Sequence, residues 1–324
     1  MAEEPRPSKV GVWVLATRPN TLALSFTPVM VGASIVSRSS DLGGSHVLTA
    51  AVLFWLFAAL IQIGTNLHND YSDFVKGADT AERVGQARAT QKGWLTARET
   101  LGGSLTALAG AASIGFGLTF LNAGSDASVM AFVTLTSLFN AVAYTGGYPL
   151  TLVGLGRVSL GYAGLGDVFV LLYFGYVATL APYYLASPPS RRPPEGLVLA
   201  ATPLGFLATA VMVVNNLRDR KTDVKAGKRT LAARFGAAFA RTEYFGLVIG
   251  AYAILAGAVA VGAAPPTWLL AVLSAPLARS QLHAIATKDG GALNPHVGGT
   301  AKLQLVFGAL LFVGVVAAPS SSTP

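Results

Sequence analysis

The sequence predicts an all-α integral membrane protein with about nine transmembrane helices around a central cavity, and three observations support the all-α membrane class. Of its 324 residues, 52% are hydrophobic and only 12% carry a charge, whereas soluble domains are about one quarter charged. Apolar stretches of about 20 residues, the length needed to cross a bilayer, recur along the chain. Glycine and other small residues are frequent in these stretches, as close packing of helices in lipid requires.

The apolar stretches define the predicted organisation of the chain. We expect nine transmembrane helices, at 21–37, 47–65, 101–121, 129–146, 162–186, 197–217, 243–262, 266–286 and 301–318. They form one transmembrane domain, residues 21–318. A polar, proline-rich segment, residues 1–20, precedes this domain, and a short tail, residues 319–324, follows it.

Lysine and arginine are distributed unevenly between the two sides of the predicted bundle. The N-terminus and the long polar segments 66–100 and 218–242 share one side, which holds most of the basic residues. The other side holds Arg38, Arg191 and Arg192. Because cytoplasmic loops carry an excess of basic residues, we expect the first side to be cytoplasmic. Membrane orientation therefore explains the net charge of +8 without a nucleic-acid partner.

The two long polar segments resemble each other. Each follows an apolar span, opens with Asn-x-x-x-Asp and continues through a second Asp and Val-Lys to a glycine, over 66–77 and 215–227. This similarity indicates a weak parallel repeat, with two helix ends that face each other across one cavity.

Residues three or four apart share one helix face, so each segment presents a polar stripe. The first stripe contains Asn66, Asp70 and Asp73, and the second contains Asn215, Asp219 and Asp223. Carboxylate and amide oxygens suit Mg²⁺, which takes one or two carboxylates and completes its shell with water and phosphate oxygens. The stripes therefore predict two Mg²⁺ sites with a diphosphate between them, and make the four aspartates the candidate catalytic residues. The alternative is that these acids are ordinary loop charges paired with neighbouring lysine and arginine.

Basic residues near the stripes are suited to the remaining phosphate charge. The candidates are Lys76, Arg88, Lys92, Arg218, Lys225 and Lys228. The chain has no cysteine and its four histidines are scattered, so neither a thiolate nor a histidine metal site is expected.

Five motifs then identify a family. They are Ala-Thr-Arg-Pro-Asn-Thr-Leu at 16–22, Asn-Leu-His-Asn-Asp-Tyr-Ser-Asp at 66–73, Ala-Thr-Gln-Lys-Gly at 89–93, Tyr-Thr-Gly-Gly-Tyr-Pro at 144–149 with Gly-Leu-Gly-Asp at 164–167, and Asn-Asn-Leu-Arg-Asp at 215–219. With them, nearly the whole chain resembles the UbiA superfamily of membrane prenyltransferases, most of all the branch that acts on 1,4-dihydroxy-2-naphthoate. One departure is Gly77, where many members carry an aspartate. The next acid is Asp79, which either contacts metal or supports Lys76.

The resemblance implies nine helices around a central cavity that is capped on the cytoplasmic side, in a bacterial inner membrane or a plastid membrane. It implies Mg²⁺ as the cofactor and a prenyl diphosphate and an aromatic acid as substrates. In this branch the prenyl group replaces the carboxylate, with release of pyrophosphate and CO₂. The product is demethylmenaquinone, or demethylphylloquinone if the donor is phytyl.

The reaction also needs residues for the acceptor and for the allylic cation. Arg18 is the candidate for the acceptor carboxylate, and a membrane anchor is its alternative role. Asp167 either hydrogen-bonds an acceptor hydroxyl or pairs with Arg157. The aromatic candidates for acceptor binding and cation stabilisation are Tyr144, Tyr148 and Tyr162. Each of these tyrosines also fits the role of an interfacial anchor.

Three other functions compete with this interpretation. An enzyme of the same fold could use 4-hydroxybenzoate, homogentisate or haem, and only the branch motifs argue against it. A phosphatidyltransferase fits the spacing of Asp219 and Asp223 but leaves the first acidic segment unexplained. A cation-coupled transporter usually places its site near the membrane midplane, whereas these acids cluster at one interface beside many basic residues.

Overall fold

The computed structural model describes residues 7–39, 44–79, 84–121, 127–187 and 192–319, and the regular secondary structure in this part of the chain is helical. The ten main helices are α1 (Lys9–Thr17), α2 (Ala23–Ser39), α3 (Gly44–Val75), α4 (Ala97–Leu121), α5 (Ala127–Ala143), α6 (Gly166–Ala186), α7 (Glu195–Lys225), α8 (Leu231–Ala260), α9 (Pro266–Thr287) and α10 (Gly290–Val316). Within α6, Leu171–Val177 is a π-helix. Arg191, residues 1–6 of the predicted N-terminal segment and most of the predicted tail (320–324) lie outside the described residues.

The all-α, multi-span prediction is confirmed, and each predicted span overlaps a helix. Seven of the described helices are long and apolar enough to cross a membrane. Helices α1 and α2 form a pair bent by 48° that adds an eighth span if counted together, and α5 is an apolar helix of 17 residues. Nine is therefore an approximate count.

Two helices extend beyond their predicted ends. Helix α3 continues to Val75 and helix α7 continues to Lys225, although their apolar stretches end near residues 65 and 217. The reason is that hydropathy reports the membrane boundary, while the helical hydrogen bonds continue past it. Both polar stripes are consequently carried on rigid helix rather than on loops.

Local capping sets the boundaries of the helices that flank the polar segments. Thr96 and Glu99 form a reciprocal capping box at the start of α4, where Thr96 N–H donates to the carboxylate (2.8 Å) and Glu99 N–H donates to the Thr96 hydroxyl (3.2 Å). The Thr230 hydroxyl accepts a hydrogen bond from Ala233 N–H (3.2 Å) at the start of α8. These caps end the segments that follow α3 and α7.

Helix α7 is the most buried span and lies at the centre of the bundle. It packs against α8, α10, α2 and the π-helical part of α6. The contact with α6 depends on two glycines, because a Cβ added to Gly175 would lie 2.8 Å from the Cα of Gly205. The two backbones therefore touch, and this contact fixes the π-helix beside the cavity described below.

Candidate active site

One large cavity of about 1020 Å³ opens inside the bundle. Its wall changes from apolar to polar along both stripe-bearing helices. On α3, the lining residues Phe54 and Phe57 are followed by Asn66 and Asp70. On α7, apolar lining residues between 208 and 212 are followed by Asn215 and Arg218. The cavity therefore has one charged end and one apolar end, and both predicted segments line it.

At the charged end, Arg88 joins the carboxylates that follow one another along the first segment. Its Nη1 lies 2.7 Å from Asp73 Oδ2 and 2.8 Å from Asp79 Oδ2, and its Nε lies 3.2 Å from Asp70 Oδ1. Burial disfavours the charged guanidinium, but the three carboxylates outweigh this effect, so the pKa of Arg88 is raised above its ordinary value. Arg88 therefore stays charged, and Asp79 is one of its partners.

Arg18 reaches the same acids from the junction of α1 and α2. Its Nη2 lies 2.6 Å from Asp70 Oδ1, and the residue lines the cavity. Its backbone has φ 55° and ψ 60°, the left-handed conformation that ends α1. A non-glycine residue held in this conformation costs about 1–3 kcal/mol. The bend thus turns the guanidinium toward Asp70.

The second segment meets the first through Lys228 and Tyr162. Lys228 Nζ lies 2.8 Å from Asp73 Oδ2, and the Tyr162 hydroxyl donates a hydrogen bond to Asp73 Oδ1 (2.8 Å). The ammonium groups of Lys76 and Lys228 lie 4.7 and 4.9 Å from the centroid of the Tyr162 ring. Burial and the adjacent Asp73 raise the pKa of Tyr162, so its phenol remains a donor.

Arg218 and Asp219 form a bidentate pair on α7, with Nε–Oδ1 and Nη2–Oδ2 distances of 2.8 and 2.7 Å. Arg218 also donates to Asn294 Oδ1 (3.2 Å), and Asn294 donates to the Val84 carbonyl (2.9 Å). Gly85 lies against this guanidinium, since a Cβ at that position would lie 2.6 Å from Arg218 Nη2. The segment between α3 and α4 is thereby held over the charged end.

A smaller cleft adjoins the cavity and shares Arg88 with it. Its wall includes Asp219, Asp223 and Lys228. Acids from the second stripe therefore lie beside the cations that hold the first stripe, which brings the two segments together around Arg88.

We call this set of ten side chains the charged cluster. Its described members are five carboxylates (Asp70, Asp73, Asp79, Asp219 and Asp223) and five cations (Arg18, Lys76, Arg88, Arg218 and Lys228). Among these ten described side chains, five negative charges balance five positive charges. Asp70, Asp73, Asp79 and Asp219 are paired with cations, as the alternative reading of ordinary loop charges predicted. However, Asp70 and three of the cations line the cavity, and Asp219, Asp223 and Lys228 line the adjoining cleft.

The donor chemistry of the cluster fits Mg²⁺. Among the residues that the structure describes, no three His, Asp or Glu side chains converge as a preformed metal site. Mg²⁺ does not require such a cage, since one or two carboxylates with phosphate oxygens suffice. The residues suited to hold it are Asn66, Asp70, Asp73, Asn215, Asp219 and Asp223.

Several predicted site residues do not line the cavity, and of these Lys92, Tyr148 and Asp167 also lie outside the charged cluster. Lys92 is exposed on the segment before α4. Tyr148 is 39% exposed, and its carbonyl accepts a hydrogen bond from His68 Nε2 (2.8 Å). Asp167 is buried and accepts a hydrogen bond from Asn216 Nδ2 (3.5 Å) rather than pairing with Arg157. Tyr144, in contrast, lines the cavity, and burial raises the pKa of its phenol.

The structure also adds lining residues that the sequence analysis did not select. Gln62 lies one turn before Asn66 on the same face of α3, and its amide donates to the Thr21 carbonyl (2.8 Å). Its four-residue spacing from Asn66 is a signal that could have identified it. Asn140 and Tyr173 line the apolar part of the cavity, and no short-range pattern connects them.

Comparisons with known proteins agree with this geometry. The family model described as the UbiA prenyltransferase family matches residues 25–294. A protein of Escherichia coli (strain K12) named 1,4-dihydroxy-2-naphthoate octaprenyltransferase is 32% identical, with 96% of this chain and 97% of the relative covered. A protein of the same name from Mycobacterium tuberculosis (strain ATCC 25618 / H37Rv) is 33% identical, with 94% and 96% covered.

Two solved structures share the fold. The apo structure of a UbiA homolog from Aeropyrum pernix K1 superposes with a TM-score of 0.64 at 14% identity, with 90% of this chain and 97% of the other covered. A UbiA homolog from Archaeoglobus fulgidus, bound to DMAPP and Mg²⁺, gives a TM-score of 0.54 at 15% identity, with 92% and 98% covered. At this identity the likeness concerns the fold.

Proposed function

Because this multi-pass membrane protein belongs to the UbiA prenyltransferase family, we propose that it transfers a prenyl group from a prenyl diphosphate to 1,4-dihydroxy-2-naphthoate. One observation carries the proposal: a single cavity joins a charged end to a long apolar wall. A prenyl diphosphate has the same division, with an anionic head and an apolar tail. The choice of acceptor is supported by the names of the nearly full-length relatives.

The charged end is suited to the diphosphate. Arg88, Arg218 and Lys228 supply cations that can pair with phosphate oxygens. The aspartates of the two stripes are the proposed holders of Mg²⁺, which the Archaeoglobus homolog binds together with DMAPP. Magnesium at this position would neutralise the diphosphate and so make pyrophosphate a better leaving group.

The chemistry balances without an added oxidant or base. The allylic carbon–oxygen bond breaks with both electrons on pyrophosphate, and the ring carbon that bears the carboxylate forms the new carbon–carbon bond. The carboxylate then leaves as CO₂, and the electron pair of that bond restores the aromatic ring. We assign the acceptor carboxylate to Arg18 and the shielding of the allylic cation from water to Tyr144 and the apolar wall.

The excess of basic residues near the charged end supports a cytoplasmic active site, in a bacterial inner membrane. The family match does not support the phosphatidyltransferase and transporter alternatives.

The proposal is tested with purified protein in nanodiscs, Mg²⁺ and geranyl diphosphate. Three acceptors are supplied in parallel: the naphthoate, 4-hydroxybenzoate and homogentisate. We expect the naphthoate to be consumed with one CO₂ released per prenyl group transferred. Prenylation of 4-hydroxybenzoate with its carboxylate retained, while the naphthoate is ignored, would contradict the assignment of the acceptor.

A further inference from the structure

A polar pair interrupts the apolar part of the cavity wall. Asn140 lies on α5, Tyr173 lies on the π-helix of α6, and both line the cavity. The Asn140 Nδ2 donates a hydrogen bond to the Tyr173 hydroxyl oxygen at 2.8 Å. The pair thus bridges two helices at the edge of the space that substrate would fill.

The hydrogen bond leaves part of each group unused. The Asn140 amide oxygen and the hydroxyl proton of Tyr173 have no other partner among the described residues. Both residues are partly buried in the open cavity, and a ligand that covered them without offering a polar atom would leave each group unpaired at a cost of about 1–3 kcal/mol. Since both groups face the cavity, a ligand that carries polar atoms would satisfy them, whereas an isoprenoid tail would not.

An aromatic surface lies next to this pair. The rings of Phe169 and Tyr173 stack with centroids 6.2 Å apart and an interplanar angle of 14°, and Phe174 lines the same wall. Flat aromatic ligands pack well on such surfaces. The wall therefore combines a ring platform with one free acceptor and one free donor, which matches a hydroxylated aromatic ring.

We propose that Asn140 and Tyr173 recognise a ring hydroxyl of the aromatic acceptor while the Phe169–Tyr173 stack supports the ring. This assignment rests on the proposed function and adds two specificity-determining residues to it. The carboxylate of the acceptor would be held elsewhere, by Arg18. Discrimination by a site of this kind is strong, because an acceptor without the hydroxyl leaves both polar groups unpaired.

The test compares ligands as well as variants. Binding of 1,4-dihydroxy-2-naphthoate under reducing conditions and of 2-naphthoate, which lacks both hydroxyls, is measured on purified protein without metal or donor. Tyr173→Phe should weaken binding of the dihydroxy compound by about two- to tenfold, the range for one lost hydrogen bond, and leave binding of 2-naphthoate unchanged. Asn140→Leu should give the same pattern and provides a second variant.

Tyr176→Phe is the matched control. Tyr176 lies on the same π-helix, and its hydroxyl is 3.0 Å from Thr202 Oγ1, but it is not among the cavity-lining residues. It should alter the binding of neither compound. If Tyr173→Phe weakens the binding of both compounds equally, the pair only holds the helices together. Unchanged binding of the dihydroxy compound would also overturn the inference. So would a variant in which only the binding of geranyl diphosphate, measured separately, is weaker. Failure of the wild-type protein to bind the naphthoate would instead remove the proposed function.

Discussion

Replacement of Arg88 by methionine tests how the charged cluster is held together without substrate. The variant keeps an unbranched side chain and removes the charge from the centre of the cluster. Arg88 contacts Asp70, Asp73 and Asp79 at 2.7–3.2 Å. Its side chain is 8% exposed, and those of the three acids are 1–2% exposed.

The magnitude follows from this burial. Removing one partner of a buried ion pair costs about 3–5 kcal/mol, because the remaining charge is left uncompensated. The wild-type cluster has no net charge, so Mg²⁺ alone adds uncompensated positive charge, whereas Mg²⁺ with pyrophosphate adds positive and negative charge together. The variant has one excess negative charge, so Mg²⁺ alone should stabilise it.

The assay is thermal unfolding of detergent-solubilised protein with EDTA, with Mg²⁺, and with Mg²⁺ plus inorganic pyrophosphate. In EDTA, Arg88→Met should lose about 3–5 kcal/mol of unfolding free energy, and Mg²⁺ alone should restore part of it. The wild-type protein should respond mainly to Mg²⁺ and pyrophosphate together. Arg220→Met is the control, since its partner Asp289 is 42% exposed and a surface pair contributes only about 0–1 kcal/mol.

Two outcomes would refute the reasoning. One is an Arg88→Met protein that is as stable as the wild type in EDTA, which would mean that the three acids need no internal cation. The other is equal stabilisation of both proteins by Mg²⁺ alone, which would mean that the balance of charge does not control metal binding.

Three further predictions follow from the site. Asp219→Ala should abolish turnover and keep the fold, whereas Asp289→Ala, outside the cavity, should remain active. Turnover is measured as release of pyrophosphate in the presence of both substrates, and wild-type activity of Asp219→Ala would contradict the metal assignment. Lys228→Ala should raise the KM for the prenyl diphosphate more than the KM for the acceptor. Lys92→Ala should change neither KM, since of these two lysines Lys228 is the one in the charged cluster. Equal effects of the two variants on the KM for the prenyl diphosphate would count against this assignment. Arg18→Gly should weaken acceptor binding and leave donor binding unchanged, as equilibrium binding of each substrate would show.

Much of the architecture could be predicted because it follows from local patterns. Apolar stretches of membrane length locate the helices, and the four-residue spacing places Asp70 near Asn66, and Asp219 near Asn215, on one helix face each. The extension of α3 and α7 past the apolar stretches could not be read from hydropathy.

The parts of the site that could not be predicted depend on contacts between segments that are distant in sequence. Arg88 reaches Asp73 from a segment without regular helix, and its role at the centre of three acids is set by the way this segment folds back. The pair of Asn140 and Tyr173 joins two helices, and neither residue belongs to a motif. Lys92 lies inside a motif yet is exposed and is not among the cavity-lining residues, which shows that a motif identifies a family without assigning a role to each of its residues.

Two substitutions of Arg18 can distinguish a structural role of this residue from a role in acceptor binding. Its left-handed backbone means that Arg18→Ala loses the guanidinium and keeps the conformational cost, whereas Arg18→Gly loses the guanidinium and removes that cost. A binding role predicts the same loss of naphthoate affinity in both variants, with the glycine variant the more stable by about 1 kcal/mol. If Arg18 is only a membrane anchor, naphthoate affinity should stay at the wild-type level in both. Thermal unfolding and naphthoate binding, measured on the same two proteins, distinguish these cases, because only the binding role makes naphthoate affinity depend on the guanidinium beside Asp70.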